Sequence, residues 1–270
     1  MISFGRSGGT VLNQCLGCLP HVIILSEVNP LGGGSGKDEV SYSTVKSQAL
    51  NWYGINLKSD DFTENLLELE RFCSNSHKHL VVRDWSFVNF YPTVQNRWQP
   101  SNTFLTLEAL KDKVDLIPFA FIRDSIDVWI SFGMPDCNTF FESYLKYVNK
   151  IIDRQIPFFK YEDFCEEPEK IVQEICKITS LEYDHFQDKY YTFDKVNGDI
   201  QIISRGRTKN SIRLLPRKII KKEKISEINQ CDLMIEANHL LDYPTSYYSA
   251  QRENLWLKGA KKIINSLRIS

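Results

Sequence analysis

The chain lacks any apolar run approaching the roughly 18 residues that cross a bilayer, and its 42% hydrophobic and 25% charged content is that of a globular protein in water. It opens on MISFGRSGG without a basic segment followed by a long apolar one, so no secretory signal is expected and the chain reads as cytoplasmic. Cysteines are few and odd in number, seven in 270 residues, which argues against a disulfide framework. Cys15 and Cys18, in CLGC, have metal or redox spacing. No second such pair or His-x-His completes a ligand set, so both are read as core of the first helix, and no metal is expected. There is no internal repeat and no low-complexity segment. The phosphate loop GxxxxGK[ST] is also missing. LGGGSGKDEV comes near it, but Leu31 stands at the first glycine and Asp38 at the hydroxyl, so Gly32 to Gly36 is read as a loop. No GxGxxG is found either, which leaves a dinucleotide site unsupported.

Net charge is −1, but residues 201 to 270 carry 14 Lys and Arg against 6 Asp and Glu. Such a tail serves nucleic acid, an anionic cofactor or a solvated face. Without aromatic interleaving or a recognisable module, no nucleic-acid partner and no membrane partner are expected.

What is present is alternation. Strand-like runs at Ile2 to Phe4, Val22 to Leu25, His79 to Arg83, Leu116 to Arg123 and Ile156 to Lys160 are separated by helical patterns. These cover Thr10 to Leu19, Val45 to Tyr53, Thr63 to Ser74, Ile126 to Phe132, Phe140 to Arg154 and Pro168 to Lys177. The order predicts an α/β fold in one domain, a parallel sheet flanked by helices. Phe141, Tyr144, Leu145, Val148 and Ile151/Ile152 recur at helical spacing as a core face, and Pro168 among acidic neighbours marks a helix start. After Thr192 the period fades, and helix returns from Glu223 to Leu241 and from Glu253 to Leu267.

The stretch SFGRSGGTVLN ends a strand, turns through glycines and enters a helix. Such a junction gathers unpaired amide N–H groups and the positive helix end at one point, and it holds an anion, usually phosphate. Gly5, Gly8 and Gly9 let the backbone approach oxygen atoms, Arg6 adds charge, and Ser7 and Thr10 offer hydroxyls. Further on, FAFIRDSIDVWISF ends a strand at Arg123, with Ser131 eight residues later. IPFFKYEDFCEEPEK ends another strand near Tyr161 before an acidic helix start.

With these three stretches in order, the chain resembles the sulfotransferases that use 3′-phosphoadenosine-5′-phosphosulfate (PAPS). Their first loop reads [KR]SG[TS]T, from which RSGGT departs at Gly9, where a hydroxyl is usual. Arg123 and Ser131 keep the interval of their second signature, and YEDFCEEP matches their third. SRGRTKNS is similar in kind to their late Arg/Gly loop. The resemblance spans residues 2 to 178 and implies a P-loop-like sulfotransferase fold. It implies PAPS as co-substrate, 3′-phosphoadenosine-5′-phosphate (PAP) as product, and a hydroxyl or amine of a small molecule as acceptor.

By the same resemblance Arg6, Ser7, Gly8, Gly9 and Thr10 bind the phosphosulfate, Arg123 and Ser131 the 3′-phosphate, and Tyr161 lies near the adenine. Arg205, Gly206, Arg207 and Ser211, in a loop over 192–220, either close over the cofactor or are solvated. Trp85, in VVRDWSF, stands where many members carry a catalytic His. The tyrosylprotein-like branch uses a Glu 21 residues after the loop Arg, which here is Glu27. Glu27 is thus the implied base, with Asp84 as the alternative, and Arg83 corresponds to the basic residue touching the sulfuryl group. His77, His79, His185 and His239 match no role. Residues 28–60 and 86–110, rich in Trp, Tyr and Asn, are expected to shape the acceptor pocket. The readings set beside this one are a P-loop kinase, which would need magnesium ligands, and a nucleotide-binding protein that has lost its chemistry.

Overall fold

A computed structural model of the protein describes residues 1–31, 44–92, 100–197 and 211–248. In chain order these form β1 Ile2–Ser3, α1 Gly9–Gly17, β2 Val22–Val28, α2 Val45–Tyr53, α3 Phe62–Asn75, β3 His79–Trp85, α4 Phe87–Phe90 and α5 Leu105–Leu110. There follow β4 Ala120–Ile122, α6 Ser125–Ser131, α7 Cys137–Asp153, β5 Phe158–Lys160, α8 Tyr161–Glu166, α9 Pro168–Thr179, a single 3-10 turn Tyr190–Thr192, α10 Lys222–Asn229 and α11 Asp232–Leu240. All strands pair in parallel in one sheet, in the order β2-β3-β1-β4-β5. The expected α/β class with a parallel, helix-flanked sheet is therefore observed.

Local chemistry explains several boundaries. Thr44 caps α2, its hydroxyl accepting from Ser47 N at 3.1 Å. Gly54, at φ 69, ends that helix with its own N–H and that of Ile55 returned to Leu50 and Ala49, the left-handed glycine cap. Asp61 caps α3, and Pro168 opens α9.

β2 alternates between two cores. Ile24 faces α1, α8 and α9 with Leu12, Leu16, Phe164, Val172 and Ile175. Ile23 and Leu25 face α2 and α3 with Ala49, Leu66 and Leu69. Strand alternation thus gives each sheet face its own apolar layer.

The chain divides into two compact units. One holds Met1–Arg123 with Lys150–Leu214, including the sheet; the other holds Asp124–Asn149 with Leu215–Ser270. In the second unit, Trp129, Phe140, Phe141, Tyr144 and Tyr147 are fully buried. The expected core face of α7 is buried at Phe141, Tyr144, Leu145, Val148 and Ile151, while Ile152 is exposed.

Three expectations are corrected. The strand expected over Leu116 to Arg123 is only Ala120–Ile122, because Leu116 and Ile117 are solvent-facing, Pro118 has no N–H to pair, and β1 offers two residues. The single helix expected over Glu223 to Leu241 is two, since Cys231 is extended at φ −84, ψ 100. The chain expected to run from the strand ending at Lys160 straight to the Pro168 helix forms a short helix first, α8, which begins at Tyr161. The helix expected over Glu253 to Leu267 and the loop Gly32 to Gly36 lie outside the described residues.

Candidate anion site at the carboxyl ends of the first and third strands

From β1 the chain enters α1 on one face of the sheet, while from neighbouring β3 it proceeds to α5, whose Leu110 joins the opposite layer. The connections diverge, and at such a point a parallel sheet opens a crevice at its carboxyl edge. The loop after β1 and the end of β3 meet there.

In that loop Arg6 and Gly8 both take left-handed backbone, φ 67 and 83. Gly8 caps α1 with no side-chain hydrogen bond, and the first turn carries no acidic residue. Intrahelical bonding starts with Val11 N to Gly8 O, 3.2 Å, and Ser7 N donates to Phe4 O at 3.3 Å, so the amides of Gly8, Gly9 and Thr10 between them are the orphan donors of a helix start, backed by the helix dipole. Ser7 is 1% exposed and its Oγ has no hydrogen-bond partner, a state that costs roughly 1–3 kcal/mol for a buried polar group. A bound oxyanion would accept from it.

Two later residues fix the loop from behind. A Cβ on Gly8 would lie 2.3 Å from the Tyr161 ring, so both backbone and space exclude a side chain. Arg123 stacks on that ring, Cζ 4.8 Å from its centroid, and donates through Nη1 to the Arg6 carbonyl at 3.2 Å. Burial pushes the Tyr161 hydroxyl well above its ordinary range.

Arg83 is 5% exposed at the end of β3. Its Nη2 donates to Glu27 Oε1 at 2.7 Å, and its Nη1 to Thr10 Oγ1 at 3.2 Å and Ser26 Oγ at 3.4 Å. Glu27 reaches it because β2 bulges: Leu25 pairs Val82 but Val28 pairs Asp84, one residue too many on β2. The surplus is absorbed with Glu27 at φ 53, an uncommon conformation for a non-glycine residue.

Gln48, buried on α2, stabilises the bulge. Its Oε1 accepts from Ser26 N and its Nε2 donates to Ser26 O, both at 2.8 Å. Asn197 adds N to Ser26 Oγ at 3.0 Å and Nδ2 to Ser26 O at 3.1 Å. Sequence reasoning passed over Gln48, Ser26 and Asn197. The available signal was a glutamine between Val45 and Ala49 on the buried face of a helix.

Asp84, next to Arg83 on β3, points the other way, as strand neighbours do. It is 4% exposed. Oδ1 accepts from Asn29 Nδ2 at 3.0 Å and from the Thr106 hydroxyl, and Oδ2 accepts from Ser86 Oγ at 2.6 Å. Burial pushes its carboxyl above the ordinary range, against the pull of these bonds.

The structure therefore gathers Arg6, Ser7, Gly8, Gly9, Thr10, Glu27, Arg83, Arg123 and Tyr161 around one loop and encloses Asp84 in a polar pocket. Ser131 ends α6 in the second unit, half-buried, and Ser211 is exposed. Arg205, Gly206 and Arg207 lie outside the described residues. Among the described residues there is no group of three or more His, Cys, Asp and Glu arranged for a metal, and no helix is long and apolar enough to cross a membrane. Comparison with family models, curated proteins and solved structures returns no match.

Proposed function

We infer that this chain is a PAPS-dependent sulfotransferase acting on a hydroxyl or amine of a small molecule. The observation that carries the reading is the uncapped start of α1, with the buried, unpartnered Ser7 hydroxyl on one side and the Arg83–Glu27 pair on the other. One end of that arrangement is built for an oxyanion. The other offers a carboxylate within reach of the same loop through a shared guanidinium.

In the proposed reaction the acceptor oxygen or nitrogen attacks sulfur in line. The bond from sulfur to the bridging oxygen of the 5′-phosphate breaks, and PAP leaves with that electron pair. The acceptor proton passes to Glu27. Charge developing on the bridging oxygen faces Arg6, Arg83 and the loop amides, which are positioned before the reaction begins. Glu27 is favoured over Asp84 as base because both Asp84 oxygens already accept from buried donors, whereas Glu27 retains some exposure at the crevice.

Two measurements test this reading. Calorimetric titration with PAP should show saturable binding to the purified chain. With PAPS and an acceptor panel, Glu27→Ala should lower turnover by about 10²-fold or more, the usual worth of a general base, while PAP affinity stays within about 3-fold, under a 1 kcal/mol change. Absence of PAP binding overturns the reading; undiminished turnover removes Glu27 from it.

A further inference from the structure

The loop carries two adjacent glycines, and they are glycine for different reasons. Gly8 needs its left-handed backbone. Gly9 is the first residue of α1 and does not share that conformation. Helical backbone favours Ala over Gly by about 1 kcal/mol, so conformation alone speaks against Gly9. Space explains it: a Cβ there would lie 2.9 Å from Arg83 Nε, 3.0 Å from Ser3 Oγ and 3.2 Å from Arg83 Cζ.

Arg83 is not free to yield. Three acceptors, on Thr10, Ser26 and Glu27, hold its head, and it is nearly inaccessible to solvent. Its Nε is buried without a hydrogen-bond partner against the bare face of Gly9. The guanidinium thus fills the space a side chain at position 9 would take.

We propose that Gly9 and Arg83 are a matched pair: Gly9 lacks a side chain so that the Arg83 guanidinium can lie across the first turn of α1, where it supplies the donor that a hydroxyl at position 9 would otherwise bring and holds Glu27 in line with the loop. Arg83 is in this sense the positioning residue for Glu27. The proposal rests on the sulfotransferase reading for its chemistry, and it turns the missing hydroxyl from a lost contact into an exchange of one donor for another. It implies that Gly9→Ala, conservative by helix propensity, damages the site, and that most of the damage requires Arg83, which supplies two of the three close contacts.

The experiment is a double-mutant cycle with Gly9→Ala, Arg83→Ala and both together, since alanine removes the Nε and Cζ atoms that a Cβ at position 9 would meet. Gly9→Ala alone should lower Tm by about 2–10 °C, the range expected of overpacking in a chain of this size. The double variant should melt within about 2 °C of Arg83→Ala, as expected of coupled neighbours. With PAPS, Gly9→Ala should lower kcat by about 10²-fold, the loss expected of a misaimed catalytic group, with KM for PAPS changed less than about 3-fold. The double variant should retain the kcat of Arg83→Ala to within about 3-fold. A merely structural role would lower Tm without this split between kcat and KM.

Independent losses, additive in Tm and multiplying in kcat, overturn the pairing. A wild-type chain that binds no PAP but shows coupled Tm changes overturns the sulfotransferase reading and leaves the pairing standing. Additive losses in a chain that does bind PAP overturn the pairing alone.

Discussion

Arg83 and Asp84 are neighbours in sequence with opposite surroundings. The strand turns one toward the loop and the other into a pocket of neutral donors from Asn29, Ser86 and Thr106. Because burial raises the Asp84 carboxyl, the folded chain keeps that proton to a higher pH than the unfolded chain, where an aspartate titrates near about 4. As pH rises from about 4 through the folded value, the unfolded state has lost more protons, and the stability contribution of this group falls. Asp84→Asn removes the ionisation while keeping an oxygen for Asn29 and Thr106, and the Ser86 hydroxyl can rotate to accept. Urea unfolding of both proteins between pH 4 and pH 7 should show the variant gaining on the wild type as pH rises. Parallel curves would contradict this account.

At the scale of elements, the site depends on a single surplus residue in β2. Gln48 gives that bulge the backbone partners the ladder cannot. Gln48→Ala leaves the Ser26 amide unpaired in the interior, and stability should drop by about 1–3 kcal/mol, read as a lower urea midpoint at unchanged slope. The α2 helix itself was legible to the residue, because Thr44 and Gly54 carry cap chemistry at both ends. The bulge was not: nothing in VIILSEVNP announces that Glu27 turns back, since the cause is an amide on another helix. The same holds for α8: the strand was expected to end at Lys160, where its last partner on β4 lies, but nothing in YEDFCE announced a helix before Pro168. The loop SFGRSGGT was readable from its own composition as a glycine turn leading from a strand into a helix. Which residues would stand around it depended on strand order, which local patterns do not encode.

At the scale of the molecule, the second unit is organised by a buried cation. Arg217 pairs with Asp124 and, at 3.0 Å, with Asp127; it also donates to the Tyr247 carbonyl at 3.0 Å and lies over the Tyr247 ring. Asp124 and Ser125 in turn meet Asn238 on α11. This network joins the start of α6 to chain nearly a hundred residues later, and no periodicity in the sequence foretells it. Arg217→Met strands Asp124 without its counter-charge and should cost about 3–5 kcal/mol. Adding Asp124→Asn should recover part of that loss. Denaturation of the four members of the cycle checks it, and equal losses with or without the second change would show that the pair is not what holds this unit.

Tyr161 backing Gly8 and Asn197 anchoring Ser26 have a consequence for biosynthesis. The loop is made well before Tyr161 and Asn197, the side chains that back it and its neighbour Ser26. Chains interrupted before Tyr161 carry every residue of the opening motif without the ring that backs Gly8. The loop's final shape is therefore completed only once residues far along the chain have been made.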